Sequence, residues 1–191
     1  VALPWMAFGY GLSVTPLQTL TLYNAVANDG VMVKPIFVSE IKEWNKTIKK
    51  FNTEVINPKI CSQETLDKVQ AVLENVVKKG TGSKLYSKDF SMAGKTGTAQ
   101  VNYKDKSKLY YASSFVGYFP ADEPKYSCII VVHKPNVAAG YYGADVAGPV
   151  FKRIAQKIFT DSPSMNHVKN IDAKVVSQEK NYSEYYKKVE K

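Results

Sequence analysis

A lysine ammonium, two hydroxyls and two glycines fall within the stretch Gly94-Lys95-Thr96-Gly97-Thr98-Ala99-Gln100. In an extended strand residues i and i+2 share a face, so Lys95, Gly97 and Ala99 are expected on one side and Thr96 and Thr98 on the other. Two hydroxyls spaced in this way can hold an anionic group. The missing side chain at Gly97 would let a ligand backbone approach the strand closely. Taken alone, a polar edge strand has the same composition; the elements around the stretch carry the decision.

Those elements read in chain order as follows. Thr15 is a good helix N-cap and Pro16 a good first helical residue, with Leu17, Leu20, Tyr23 and Ala27 at helical spacing behind them. Asn28-Asp29-Gly30 closes that helix, Gly30 suiting a left-handed cap. Residues 31–56 read as extended: Ile36-Phe37-Val38 and Ile41 to Trp44 as one strand, Thr47 to Phe51 as its return partner, with Asn45-Lys46 at the turn. The clearest helix covers 62–79, capped by Ser62, with Leu66, Val69, Leu73, Val76 and Val77 as its stripe and Gly80-Thr81-Gly82 as its stop. Strand 92–101 carries the lysine and threonines. Tyr111 to Phe119 and Tyr126 to Val132 follow as further strands of an antiparallel meander, the last so apolar that both its faces are expected to be covered. A helix with Asp145 as cap and Val146, Val150, Ile154 and Ile158 as its apolar positions follows. Gly9-x-Gly11 is no nucleotide loop, because the third glycine and a preceding strand are missing.

The 191 residues carry a formal charge of +9, with 45% hydrophobic and 23% charged residues. This is an ordinary globular balance. The positive excess is spread along the chain and forms no lysine/arginine block of the kind nucleic acids require, so a nucleic-acid partner is not expected. A mildly basic surface suits carboxylate substrates or an anionic membrane face. Cys61 and Cys128 lack metal-ligand spacing and read as small buried residues rather than a disulfide; His133 and His167 are isolated. No run reaches membrane-spanning length and no signal peptide is visible. The chain opens on Val1-Ala2-Leu3-Pro4-Trp5, which reads as an internal stretch of a longer polypeptide with any anchoring segment upstream.

Three blocks stand in a fixed order: Gly9-Tyr10-Gly11-Leu12-x-Val14-Thr15-Pro16-Leu17-Gln18, then Lys95-Thr96-Gly97-Thr98-Ala99, then Tyr141-Tyr142-Gly143-x-x-Val146-Ala147-x-Pro149-Val150-Phe151. K-T-G is one of the three motifs of penicillin-binding proteins and serine β-lactamases. Together the blocks resemble the C-terminal half of the transpeptidase domain of a class B penicillin-binding protein, of the division type, over about residues 1–160. The resemblance implies an α+β fold, an antiparallel sheet of at least three strands flanked by helices. Residues 161–191, polar with mixed charges and little periodicity, read as a loosely attached tail or linker with a short helix near Tyr182 to Val189. It implies a peptidoglycan D,D-transpeptidase of the bacterial cell envelope, anchored in the inner membrane through an upstream segment. The partners it implies are D-Ala-D-Ala stem peptides, β-lactam antibiotics, the upstream half of the same protein and divisome membrane proteins. Lys95 would set the electrostatics of proton transfer. Thr96 and Thr98 would hold the substrate carboxylate beside Gly97, and the Thr98 N–H would be an oxyanion donor. Tyr141 and Tyr142 would form an aromatic wall, or simply pack their loop. No metal or cofactor is implied.

The family's nucleophilic Ser-x-x-Lys and its Ser-x-Asn precede the Gly-Tyr-Gly block, so neither is expected here, and the chain alone is expected to be inactive. Ser39-Glu40-Ile41-Lys42 spells the first motif but lies in an expected strand, where i and i+3 point to opposite faces. Ser177-Gln178-Glu179-Lys180 lies in the polar tail. Ser164-Met165-Asn166 falls on the wrong side of Lys-Thr-Gly. A serine β-lactamase, or a non-catalytic β-lactam sensor or divisome binding module of the same fold, are the competing readings. The Gly-Tyr-Gly-Leu and Val-Thr-Pro-Leu-Gln pairing fits the transpeptidases better than the first of them.

Overall fold

The computed structural model describes residues 2–7, 9, 11–102, 105 and 107–162. The Ser177 and Ser164 motifs and the short helix expected near Tyr182 to Val189 lie outside the described residues. A short helix, α1 (Ala2–Ala7), precedes α2 (Pro16–Ala27). Thr15 caps α2 in a reciprocal box: the Gln18 N–H donates to the Thr15 hydroxyl and the Gln18 side chain accepts from the Thr15 N–H. Gly30, at φ +82°, lets the chain turn back, and its N–H donates to the Ala25 carbonyl at 2.8 Å.

Beyond α2 the small strands differ from expectation. β1 (Met32–Val33) pairs antiparallel with β4 (Val55–Asn57), a ladder the sequence pattern does not announce. The Lys34 N–H still donates across it to the Glu54 carbonyl; Pro35 has no N–H and the ladder stops there. Ile36-Phe37-Val38 is therefore not a strand but an exposed connection. β2 (Glu40–Glu43) and β3 (Lys46–Lys50) form a separate hairpin. Its turn is Trp44-Asn45, one residue earlier than Asn45-Lys46, with φ +49° and +65°. Both residues are left-handed, as a two-residue loop with the twist of its strands requires.

α3 (Gln63–Lys78) is capped by Ser62, and the Gly82 N–H closes its far end onto the Val76 carbonyl at 2.9 Å. A single 3-10 turn, Ser83–Leu85, follows. The main sheet is the expected meander: β5 (Ala93–Val101), β6 (Tyr110–Phe119) and β7 (Tyr126–His133), in the order β5-β6-β7. Its register, Thr96 opposite Phe115 and Lys95 opposite Val116, fixes which residues share a face. On one face Ala93 and Tyr118 pack with Val26 of α2 and with Leu66 and Leu73 of α3. Val69, expected in the α3 stripe, is exposed. On the other face Phe115 and Phe119 receive Phe151, with ring centroids 4.7 and 5.6 Å apart.

Three expectations need correction here. β7 is half-buried along its length and exposed at both ends, because among the described residues it has a strand partner on one side only. Cys61 and Cys128 are free thiols, half-buried rather than enclosed; burial nonetheless pushes the Cys128 thiol up. The last helix is two: α4 (Gly143–Val146) and α5 (Gly148–Asp161). Asp145 is not a cap but lies inside α4, where its carboxylate pairs with Lys84 Nζ at 2.7 Å. Pro149 is the second residue of α5, where no intrahelical N–H is needed. The buried stripe of α5 is Phe151 and Ala155, one position on from Val150 and Ile154. Residues Val1–Ala155 form one unit and a second begins at Gln156, of which the described part is the end of α5, with Lys157 and Asp161 paired at 2.5 Å.

Phe151 is fully buried between two rings, whereas Val150 is 39% exposed. Phe151→Ala is therefore expected to cost about 3–5 kcal/mol, through lost burial and the cavity left behind. Val150→Ala should stay within about 1 kcal/mol. Urea unfolding of both variants checks the register of α5; comparable losses would place the stripe wrongly.

Candidate functional site

β5 presents its hydroxyls in the manner the alternation requires. Thr96 and Thr98 project to the face that carries Phe115, and Lys95 and Gly97 to the face that carries Val116 and Ser114. Thr96 Oγ1 lies 3.1 Å from the hydroxyl of Thr81, in the turn that ends α3. Thr98 Oγ1 accepts the N–H of Gly143 at 3.1 Å. A threonine hydroxyl has one proton and two lone pairs. This bond uses a lone pair of Thr98 and leaves its proton able to be donated, while the oxygen is held by the backbone of α4. Lys95 is exposed and its Nζ donates to the Thr96 carbonyl at 2.8 Å, which curls the ammonium back along its own strand.

Gly97 turns out to be small for a second reason. A Cβ at Gly97 would overlap Ser114 Oγ, and a Cβ at Gly143 would overlap the carbonyl oxygens of both Ser114 and Gly97. α4 thus sits directly on the backbone of the β5–β6 ladder. Ser113, fully buried, donates its hydroxyl to the Tyr141 carbonyl and holds the approach to α4 from beneath. The Lys84–Asp145 pair ties the outer side of α4 to the turn after α3. Being largely exposed at the lysine, it contributes about 0–1 kcal/mol.

Tyr141 and Tyr142 stand beside this platform. Tyr141 stacks on Tyr111 with centroids 4.1 Å apart and leans on Tyr142 at 4.4 Å. Its hydroxyl donates to that of Tyr142 at 3.1 Å. This bond, together with the repulsion between two neighbouring phenolates, pushes the Tyr141 phenol up to about 12. Tyr142 remains 56% exposed. Tyr111 faces the same way as Thr98, and the Gln100 side chain reaches its hydroxyl at 3.3 Å. The three rings therefore continue the face that Thr96 and Thr98 begin.

Of the residues expected to form a site, the structure gathers Thr96, Thr98, Tyr141 and Tyr142 on one side of β5. Gly97 lies under α4, and Lys95 projects from the opposite side. Thr81, Tyr111 and Ser113 were not legible as site residues. Gly80-Thr81-Gly82 has the form of a plain helix stop, and Tyr111 and Ser113 the form of ordinary strand positions. The Ser39 motif is dispersed: Lys42 pairs with Glu40 at 2.6 Å on the exposed hairpin.

The model of the penicillin-binding protein transpeptidase domain matches residues 4–156. Over 155 residues, 80% of this chain, the sequence is 34% identical to the peptidoglycan D,D-transpeptidase FtsI of Buchnera aphidicola, of which it covers 26%. It is 35% identical to the stage V sporulation protein D of Bacillus subtilis over 78% of this chain and 23% of that protein. The chain thus spans about a quarter of the length of these curated relatives. Among solved structures, penicillin-binding protein 3 of Mycobacterium tuberculosis, complexed with aztreonam, superposes with a TM-score of 0.66 at 30% identity, over 80% of this chain and 36% of that one. The transpeptidase domain of Burkholderia pseudomallei penicillin-binding protein 3 gives 0.63 at 28% identity, over 87% and 47%. The meander, the Lys-Thr-Gly-Thr strand and the Tyr-Tyr-Gly segment seated on it all fall within the matched residues, and the chain belongs to the penicillin-binding protein transpeptidase domain family.

Proposed function

We propose that this chain is the Lys-Thr-Gly part of a peptidoglycan D,D-transpeptidase, and that β5 receives the C-terminal carboxylate of a D-Ala-D-Ala stem peptide or the carboxylate of a β-lactam. The observation that carries the reading is the pair of hydroxyls on the open stretch of β5. Thr98 is held by the Gly143 N–H with its proton to spare, and Thr96 is held beside Thr81. Preorganised donors of this kind are worth more than mobile ones, because they need no reorganisation when the anion arrives.

In the full reaction a serine hydroxyl outside this chain attacks the penultimate D-Ala carbonyl. The C–N bond breaks, the terminal D-Ala leaves as its amine, and an ester remains. The amino group of a neighbouring stem then displaces the serine and forms the crosslink. Lys95 projects from the other side of β5, but its ammonium is turned back onto the Thr96 carbonyl at the strand edge, from where its charge favours the deprotonated serine, and the Thr98 N–H stabilises the oxyanion. Tyr111, Tyr141 and Tyr142 wall the cleft and exclude water from the ester. The complex of the M. tuberculosis relative with aztreonam supports β-lactams as ligands of this platform. Division-type wall synthesis at the cell envelope, with an anchor outside this segment, is the setting that the relatives favour. Among the described residues no helix is long and apolar enough to cross a membrane.

Three measurements test this. The 191-residue chain alone is expected to form no adduct with a fluorescent penicillin, whereas the full-length protein is labelled; labelling of the isolated chain would place a nucleophile inside it. In the full-length protein, Thr96→Val should slow acylation by a β-lactam that carries its carboxylate by about tenfold, the worth of one hydrogen bond to a charged group. It should leave the corresponding ester unaffected, and equal losses would mean that the hydroxyl does not read the carboxylate. Thr98→Val is a less clean variant, because it also strips the Gly143 N–H of its acceptor. Gly143→Ala, finally, should lift α4 off β5, weakening acylation by acid and ester alike together with a loss of about 1–3 kcal/mol of stability, as overpacking does.

A further inference from the structure

Large apolar side chains crowd the surface between β1 and β4. Ile36, Phe37, Val38, Ile41, Trp44 and Ile48 are all exposed, Phe37 at 85% and Trp44 at 96%. Apolar residues exposed singly are ordinary on a protein surface, but a run of them in one short segment marks an interaction site. Trp44 is the one the fold explains least. It occupies the hairpin turn at φ +49°, a conformation that suits Gly or Asn and strains a bulky residue. No burial offsets that strain, since the ring lies in solvent. Strain held at an exposed, bulky residue points to a use outside the fold.

The polar residues of the hairpin divide into satisfied and free. Glu40 accepts from the Thr47 hydroxyl at 3.1 Å and pairs with Lys42 at 2.6 Å. Lys49 stands opposite Ile41 with its ammonium 4.8 Å from the centre of the Phe51 ring. Among the described residues no carboxylate pairs with Lys46, Lys49 or Lys50. Lysines on an open strand edge discourage unwanted strand pairing. That accounts for the lysines but not for the tryptophan and isoleucines among them. Ile48 is the extra residue of a bulge, between the pairs Ile41–Lys49 and Lys42–Thr47, and bulges re-aim side chains. Apolar surface interleaved with free ammonium groups fits a partner that is itself apolar and acidic. A second copy of this chain fits poorly, because each copy carries +9. A bilayer also fits poorly. It would meet the tip alone, whereas the apolar residues continue from Trp44 back to Phe37, just before the base of the hairpin, where the Phe51 N–H donates to the Ser39 carbonyl. We propose that the β2–β3 hairpin and the Ile36-Phe37-Val38 connection form a docking surface for an acidic segment of another protein, with Trp44 as its principal anchor. A buried tryptophan supplies about 150–250 Å² of contact, as such anchors do. This goes beyond the transpeptidase reading and does not depend on it.

The test uses the full-length protein in its own cells, with the exposed Glu43 replaced by p-benzoylphenylalanine, which crosslinks on illumination. Glu43 adjoins Trp44, and losing its charge does not oppose an acidic partner. The expected result is an adduct with one other protein, mapped by mass spectrometry to a segment in which Asp and Glu outnumber Lys and Arg. In the same background Trp44→Ala should cut the yield about tenfold or more, the scale of an anchor residue. Lys49→Glu combined with Lys50→Glu should cut it about fivefold, the scale of exposed ion pairs. Trp44→Gly should leave the thermal midpoint of the protein unchanged or slightly raised, because glycine suits the turn. No adduct, or an adduct with lipid, with a second copy or with the upstream part of the same chain, would overturn the proposal. So would a mapped segment without an acidic excess, or a yield indifferent to the substitutions. A clear drop in the midpoint of Trp44→Gly would overturn it too, because the tryptophan would then serve the hairpin itself.

Discussion

The contact between Gly143 and the Gly97–Ser114 pair is the constraint on which this arrangement depends. Three backbones meet there with no side chain between them, and a single added Cβ at Gly143 would overlap two carbonyl oxygens. Because α4 can approach this closely, its first N–H reaches Thr98 Oγ1. The residues before it, Tyr141 and Tyr142, are then delivered beside β5, and those after it, Ala147 and Gly148, turn Phe151 into the face of the sheet. A hydrogen bond of this kind contributes about 0.5–1.5 kcal/mol net. The packing of Phe151, worth several times that, must therefore hold α4 in place, and the hydrogen bond sets the fine position of the hydroxyl.

The two faces of the meander divide the work. The face towards α2 and α3 is a dry core around Ala93, Tyr118, Leu66 and Leu73. Burial there pushes the Tyr118 phenol up to about 12, so the ring stays neutral and no charge is enclosed. Two polar side chains work at its margin: Asn24 gives its amide to Ser127 at 3.1 Å and ties α2 to β7, and Gln70 donates to the Val26 carbonyl at 2.8 Å and ties α3 to α2. The opposite face is aromatic at one end, through Phe115, Phe119 and Phe151, and polar at the other, where Thr96, Thr98 and the tyrosines lie. A change from apolar to polar along one face of a strand is how a sheet can be stable at its base and receptive at its rim. β5 makes that change between Gly94 and Thr98, where its residues pass from buried to exposed.

Much of this could be read from the sequence because the controlling signals are local. Thr15-Pro16 and Ser62 announce their helices, and the three meander strands carry unbroken apolar or alternating runs. The strand alternation also placed Thr96 and Thr98 together and Lys95 opposite. What escaped is what depends on distant partners. β1 and β4 are too short to show a period and exist only because they find each other. The α5 stripe is displaced by one residue because α4 takes the first turn and Ala147 breaks the phase. Thr81 enters the site through a contact across 15 positions of sequence, and Tyr111 through a stack with a loop that no periodicity marks. The turn at Trp44-Asn45 was misplaced because bulky tryptophan is a poor sequence signal for positive φ.

An outer strand bearing small, polar, exposed residues poses a problem of its own, since its unpaired backbone groups can template the addition of any other strand. The surroundings of β5 restrict that hazard to a short window. α3 packs beside its start through Leu66 and Leu73, and Thr81 occupies the space next to Thr96. α4 covers Gly97 from the face. What stays open is the stretch from Thr98 to Gln100, long enough for a few residues of extended peptide and too short for a stable sheet-to-sheet contact. The same shielding that prevents indiscriminate pairing leaves a strand edge guarded at one end, by Thr81 and α3, and open at the other. On the transpeptidase reading proposed above, an edge of that form would measure a peptide from its terminus, as recognition of a C-terminal carboxylate requires.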